Sequence, residues 1–531
     1  MPPTSPESAR RYSAGRVFGV IFAVTVLFHW PLVRLPYFWD EAGYYVPAAR
    51  DFLLSGSVIP HSPPSNAHPP LVMMFLGACW KIFGFSIPVA RIAMLGMASF
   101  ALLGVFRLAR TVANIEVAIA STLCTALYPV FFAQSSMALI DLAAAGFAFW
   151  GLTAYLNNRL RASAAWLSLA VLTKETALLV PAALLFWEIV GPWLSGKLRR
   201  EIAFRKADRS SLILIAPIVV LGFWYAFHYW RTGYVFGNPE FFRYNVQATI
   251  NPLRILLAFA TRIWQAIGYL HLWILTLLMV FAMSQPPLRD ADRQRPKISV
   301  PIQALFGVVI LTFALALAIV GGAVLARYML TAVPLVIILC VSTLWRRLRA
   351  WRWLVAAVAL AFVAGWFLNP PYGFSPEDNL AYRDFVQMHE DAARFLEQRF
   401  PSARVLTAWP ASDEITQPYL GYVTRPLRVV RIEDFTVEQV MSAAELRSQF
   451  DVALVFSTKY EPPRPLLARW PAWQRVKTRL FGFHVDLPPE AAAHLLGGRI
   501  VFTEARNGLW VAVIQMEHIE EARLWMNSPS R

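Results

Sequence analysis

Apolar runs of roughly 12–21 residues recur through the first 370 positions, separated by short polar segments, which is the pattern of successive membrane-spanning helices. They cover residues 17–35, 91–109, 115–133, 139–156, 162–173, 176–191, 210–230, 264–283, 300–320, 328–345 and 351–368. The pair 162–173 and 176–191 is short and is expected to dip or tilt. No small-residue cleavage site follows the first run, so it reads as an uncleaved span. His68–Phe83 is apolar over about 16 residues, short for a hydrocarbon core of ~30 Å at 1.5 Å per residue. It reads as a helix lying along the outer interface, opened by Pro69-Pro70 at its first turn.

From about Pro370 the period changes. Arg404–Trp409, Leu427–Ile432 and Asp451–Phe456 alternate as strands, Asn379–Phe400 and Thr436–Phe450 have helical spacing, and Arg499–Glu504 with Gly508–Met516 reads as a closing hairpin. The expected fold is therefore a polytopic α-helical membrane protein of about 11 transmembrane helices with a C-terminal soluble α/β domain. The membrane domain is placed at 1–369, with outer juxtamembrane helices in 36–90, and the soluble domain at 370–531.

Composition agrees with this reading. The chain is 57% hydrophobic and 15% charged, against about 45–50% and about 25% in soluble domains. Disorder is excluded, because so apolar a chain buries itself or aggregates. Cys79, Cys124 and Cys340 all sit inside apolar runs, so no disulfide framework or cysteine metal cluster is present to read.

The net charge of +16 is unevenly spread, which decides its meaning: residues 370–531 hold 18 basic and 20 acidic side chains, residues 1–369 hold 31 and 13. The bases cluster in alternate loops: Arg107 and Arg110; Arg159 and Arg161; Lys197–Lys206; Arg289, Arg293, Arg295 and Lys297; Arg346, Arg347, Arg349 and Arg352. That is the positive-inside pattern, not a nucleic-acid surface. It puts the N-terminus inside and, after eleven crossings, the C-terminal domain outside.

Few acids remain in the membrane half. Asp40, Glu41, Asp51, Asp141 and Glu175 map to the outer ends of apolar segments. An acid costs ~2.5 kcal/mol or more at a bilayer centre and less at the interface, and tends to mark a site. Asp40-Glu41 lies in Tyr37-Phe-Trp-Asp-Glu-Ala-Gly-Tyr-Tyr45 directly after the first span, as a general base beside aromatics or as the acidic cap of an interfacial helix. His68 precedes the Pro-Pro helix start, as a phosphate or acceptor ligand or a solvated loop residue. Asp141 opens a span, where a helix dipole also favours an acid. Lys174-Glu175 interrupts an apolar stretch as a neutralised pair, and Arg327 is a phosphate clamp or a snorkelling side chain.

Taken together, Asp40-Glu41, His68-Pro-Pro-Leu71, Asp141, Leu172-Thr-Lys174 and Arg327-Tyr328 with Pro334 resemble the GT-C glycosyltransferases that use polyprenyl-phosphate sugars, in order and in topological side over about residues 17–345. Protein O-mannosyltransferases and lipid A aminoarabinose transferases are similar by pattern. The latter carry Lys before Pro-Pro where this chain has His68, a departure that speaks against an aminoarabinose substrate.

The resemblance implies an inverting sugar transfer at the outer face of the inner (plasma) membrane. It implies Asp40, Glu41 and Asp141 as catalytic carboxylates; Arg327, Lys174, His68 and Tyr328 on the donor phosphate; and Tyr44, Tyr45 and Glu175 on substrate. The implied partners are the polyprenyl-phosphate sugar, a lipid, glycan or protein acceptor, and membrane lipids, with no nucleic acid. No cofactor is required, and the carboxylates leave room for a divalent metal without fixing its ligands. The competing class, a transporter or lipid flippase, predicts charges near span midpoints and inverted repeats. The charges here lie at span ends, and no convincing repeat is found.

Overall fold

Every apolar run of the membrane half folds as helix in the computed structural model, which describes residues 13–194, 209–239, 242–243, 249–290, 293–460, 462 and 470–517. The basic stretches 10–11 and 197–206 lie outside the described residues. Contacts divide the chain into two units, Met1–Val33 with Ala48–Leu368, and Arg34–Pro47 with Asn369–Arg531.

In the first unit, Ala14–Leu32, Ile87–Val112, Ser210–Thr232 and Val300–Ile319 are long and apolar enough to cross a bilayer. Leu71–Phe83, Ile115–Leu127, Leu160–Thr173 and Trp351–Phe367 are apolar but shorter. The expected continuous span 264–283 is instead broken: Pro252–Ile267 and Leu272–Met283 meet at 75°. Gly268 and a left-handed His271 at φ 69° interrupt the ladder between them.

Helix ends follow from local chemistry. The Asn114 side chain accepts from the Val117 amide at 3.0 Å, and Asn251 accepts from Leu253 and Arg254, so two starts are capped. Gly233 at φ 77° ends Ala216–Thr232 in the left-handed conformation that glycine takes at no steric cost. Small residues set the closest helix contacts. A Cβ on Gly146 would lie 2.9 Å from the Ala101 Cβ, which brings helices Ile87–Val112 and Asp141–Leu156 together. Large apolar side chains such as Leu27, Ile189, Phe223, Trp230, Trp353 and Leu360 point outward on this unit, the expected surface of a chain solvated by lipid.

The second unit is an α/β domain around a five-stranded sheet: β1 Arg404–Ala408, β2 Arg428–Ile432, β3 Val452–Phe456, β4 Gly498–Arg506 and β5 Leu509–Met516. The order is β2-β1-β3-β5-β4, with β1 parallel to β2 and β3, and β5 antiparallel to β3 and β4. The β4–β5 hairpin pairs Arg506 with Leu509 across Asn507-Gly508, both at positive φ, the geometry that Asn-Gly favours. All five residues of β3 are buried, as befits a central strand covered on both faces. Helix Ala381–Arg399 packs against the β4–β5 arm, with Phe395 5.2 Å from Phe502 between ring centroids.

Candidate functional site

In the first unit the charges left at helix ends converge. Asp141 occupies the first turn of its helix, and its carboxylate takes Lys174 Nζ at 2.5 Å and Arg327 Nε at 3.4 Å. All three side chains are at most 7% exposed. Lys174 is the extended residue that ends helix Leu160–Thr173, and its ammonium sits 3.9 Å from the centroid of the Tyr328 ring. Arg327 and Tyr328 share the short 3-10 turn Ala326–Met329. The Arg262 guanidinium lies 5.4 Å from the same ring. Three cations thus gather around one carboxylate and one aromatic face.

Beside Lys174, the Glu175 carboxylate accepts from His68 Nδ1 at 3.0 Å, which fixes the ring and directs its other nitrogen away from the pair. The loop that carries His68 is pinned at several points. Trp224 Nε1 donates to the Ala67 carbonyl at 2.9 Å, the Ser65 hydroxyl meets His228 Nε2 at 2.7 Å, and Asn238 Nδ2 donates to Asn66 Oδ1 at 3.1 Å. Gly237 permits this approach, since a Cβ there would lie 2.8 Å from the Asn66 carbonyl carbon.

Asp51, one of the five outer acids, has a structural role. It accepts from the His61 and Ser62 amides at 2.7 Å each and from the Ser62 hydroxyl at 2.6 Å, tying down the start of the same loop. Burial pushes its carboxyl up, but the Ser62 and His61 contacts prevail and hold it below the ordinary value.

Asp40, Glu41, Tyr44 and Tyr45 belong to the second unit. Asp40 is half-buried, whereas Glu41 is fully buried and its carboxylate accepts from the Phe38 amide at 2.9 Å. Glu41 therefore closes the turn around Asp40. Tyr44 and Tyr45 meet edge to face at 5.3 Å on the π-helical turn Glu41–Tyr45.

The sequence reading missed the polar face of helix Pro252–Ile267. Arg254 donates to the Gly321 and Gly322 carbonyls at 2.8 and 3.0 Å, Arg262 to Leu325 at 2.6 Å, and Gln265 to Val324 at 2.9 Å. These bonds fix the strand of chain that leads into Arg327. Arg91 was missed too; fully buried, it donates to the Ser136 carbonyl at 3.0 Å, five residues before Asp141. The available signal was a stripe at 254, 258, 262 and 265 on one helical face.

The sequence model of the family described as dolichyl-phosphate-mannose-protein mannosyltransferase matches residues 67–221. Among solved structures, the chain is similar to apo ArnT from Cupriavidus metallidurans at 16% identity and TM-score 0.54, over 94% of this chain and 98% of that one. ArnT from the same organism bound to undecaprenyl phosphate is similar at 14% identity and TM-score 0.53, over 94% and 97%. The chain shares the fold of that ArnT.

It is a multi-pass membrane protein of that fold. No curated protein matches the sequence. The matched family segment contains His68, Asp141, Lys174 and Glu175, so the Lys174–Asp141 and His68–Glu175 pairs lie within it. Among the described residues no group of three or more His, Cys, Asp or Glu side chains is arranged to hold a metal ion.

Proposed function

We propose that this protein is a GT-C glycosyltransferase, an inverting enzyme that moves a sugar from a polyprenyl-phosphate donor to a lipid, glycan or protein acceptor. The observation that carries the reading is the cluster of buried cations around Asp141: Lys174 and Arg327 both pair with that carboxylate, and Arg262 lies over the Tyr328 ring. Buried cations gathered at one place favour an anion among them, and fixed donors aimed at developing charge lower a barrier without reorganisation. The undecaprenyl phosphate bound by ArnT on this fold supports a lipid phosphate as that anion.

In the proposed step the acceptor nucleophile attacks the anomeric carbon opposite the phosphate, and Asp40 takes its proton. The bond from the anomeric carbon to the phosphate oxygen breaks, and the bonding pair stays on the polyprenyl phosphate. That leaving group already carries charge, so it needs cations, not a proton. Arg327 and Lys174 meet it, with Tyr328 beside them. His68, oriented by Glu175, adds a further contact. Asp141 holds the two cations in place, Glu41 holds the Asp40 turn, and Tyr44 and Tyr45 lie on the acceptor side. As written, the chemistry uses no cofactor.

The proposed topology has the N-terminus inside, about eleven crossings, and the site and C-terminal unit on the outer side of the cell's inner (plasma) membrane. It is supported by a helix at each expected span and by the bases in alternate loops. The test supplies purified protein in lipid nanodiscs with a panel of polyprenyl-phosphate hexoses and pentoses, together with acceptor extract. One donor should be discharged, releasing polyprenyl phosphate and giving a product of inverted anomeric configuration. A full panel left intact, or retention of configuration, overturns the proposal.

A further inference from the structure

The C-terminal sheet has a reversal of strand order of the kind at which open α/β folds take ligands. From β1 the chain passes to β2 on one side, then returns as β3 on the other, both parallel to β1. The order therefore reverses outside the carboxyl ends of β1 and β3, where such sheets bind their ligands. Here that place is taken by the chain's own segment around Asp40.

Trp409, which follows β1 directly, places its indole 5.1 Å from that of Trp39 between centroids. Gly43 lies so close to Trp409 that a Cβ there would stand 2.6 Å from the indole nitrogen. Phe38 and Trp39 both pack on Phe385, at 5.3 and 5.6 Å, and Phe385 meets Phe456, the last residue of β3. Tyr37 is tied at both backbone groups: its amide donates to the Leu420 carbonyl at 3.2 Å, and its carbonyl accepts from the Tyr422 hydroxyl at 3.0 Å. Trp39 is held at φ 45°, a conformation that a bulky residue keeps only where packing imposes it. Below Phe385 the stack continues to His389, 3.9 Å away, whose Nδ1 donates to Glu414 at 2.7 Å in a pair that is 1% exposed on each side.

We propose that the C-terminal unit is the device that positions Asp40, with Trp409 and Gly43 as its positioning residues. Residues on both sides of Asp40 are fixed to this unit, while Asp40 itself stays half-exposed. The inference rests on reading Asp40 as the base, and it gives the C-terminal unit a part in turnover rather than in donor binding. A misplacement of about 1 Å in a reacting group costs on the order of 10²-fold in rate.

The test uses the full-length protein in nanodiscs. Gly43→Ala drives a methyl into the Trp409 indole, and Trp409→Phe removes the overlapping ring. Gly43→Ala should lower kcat about 10–100-fold, leaving KM for the donor and the affinity for undecaprenyl phosphate unchanged. The double variant Gly43→Ala/Trp409→Phe should recover much of that loss, because the clash is gone. Wild-type kcat in Gly43→Ala overturns the proposal. So does a loss of kcat, phosphate affinity and thermal stability together with no recovery in the double variant, which is the signature of a purely structural contact. Asp40→Asn, assayed in parallel, separates the two readings. Full activity there removes Asp40 as base; an inactive Asp40→Asn beside a fully active Gly43→Ala removes only the positioning role.

Discussion

Replacing Asp141 with Asn keeps the side chain's shape and removes a carboxylate that Lys174 and Arg327 share. At the observed separations of 2.5 and 3.4 Å, Coulomb attraction at an effective dielectric of ~20 is ~7 kcal/mol for Lys174 and ~5 kcal/mol for Arg327 before desolvation is charged against it. Desolvation takes back most of that. Removing one partner of a buried pair nonetheless costs about 3–5 kcal/mol, because the remaining charge is left uncompensated. Here two cations remain, facing each other, so the upper part of that range is expected.

The same change should make the site a better anion trap. If the cluster receives a lipid phosphate, that phosphate replaces the lost carboxylate, and binding linkage stabilises the variant more than the wild type. Thermal unfolding followed by intrinsic fluorescence, across a titration of undecaprenyl phosphate, reads both effects. Asp141→Asn should start at a lower Tm and show a larger ligand-induced rise, with reduced turnover. An unchanged starting Tm would show that the ion pairs do not support the fold. A rise smaller than that of the wild type would show that the cations are not aimed at a phosphate.

Asp40→Asn should abolish transfer, by about 10²–10⁴ in rate, while undecaprenyl phosphate affinity stays at the wild-type value; full activity would remove Asp40 as the base. Arg327→Ala should weaken undecaprenyl phosphate binding and turnover together, because a phosphate contact exists before the transition state and strengthens in it; equilibrium binding beside single-turnover rates checks this, and a loss confined to either one counts against the assignment. Asp51→Asn should lower stability at neutral pH by about 1.5–3 kcal/mol, the worth of hydrogen bonds to a charged acceptor. The Asp51 carboxyl is held below its ordinary value of ~3.9, so its contribution is complete above that pH and is lost as pH falls through the lower folded value. The Tm difference between wild type and Asp51→Asn should therefore close below about pH 4; a gap that persists there would contradict the role.

The elements were legible in the sequence wherever period alone specifies them. Asp451–Phe456 and the Asn507-Gly508 hairpin follow from alternation and turn chemistry, and their registers came out as that chemistry requires. Asp141, Lys174 and Arg327 were legible as charges at the ends of apolar runs, but their partners were not: the sequence paired Lys174 with its neighbour Glu175, whereas Lys174 and Arg327 both pair with Asp141 and Glu175 takes His68. Arg262 was not, for a specific reason. Helix Pro252–Ile267 has a strong polar stripe, and in water that stripe would face out. Here Leu253, Leu256 and Trp264 are exposed while Arg254 and Arg262 are buried on backbone carbonyls. Amphipathic spacing gives the two faces of a helix; the solvent decides which one is inside.

Asp40 illustrates the other limit. Its charge and its aromatic neighbours are visible in nine consecutive residues, but its attachment to strands more than 360 positions later is not, because no local period encodes a contact of that separation. Long-range contacts of this kind carry a closure entropy that grows only as the logarithm of loop length. The intervening chain is itself ordered into helices, so the attachment must be held by packing made after both ends are in place. Phe38 is 3% exposed and Tyr37 fully buried, and burying such a side chain is worth about 1.5–3 kcal/mol. The turn between these anchors is also internally bonded, through the Glu41 carboxylate and the Phe38 amide. Glu41, buried in the same segment, thus has a structural part in fixing the turn that carries Asp40.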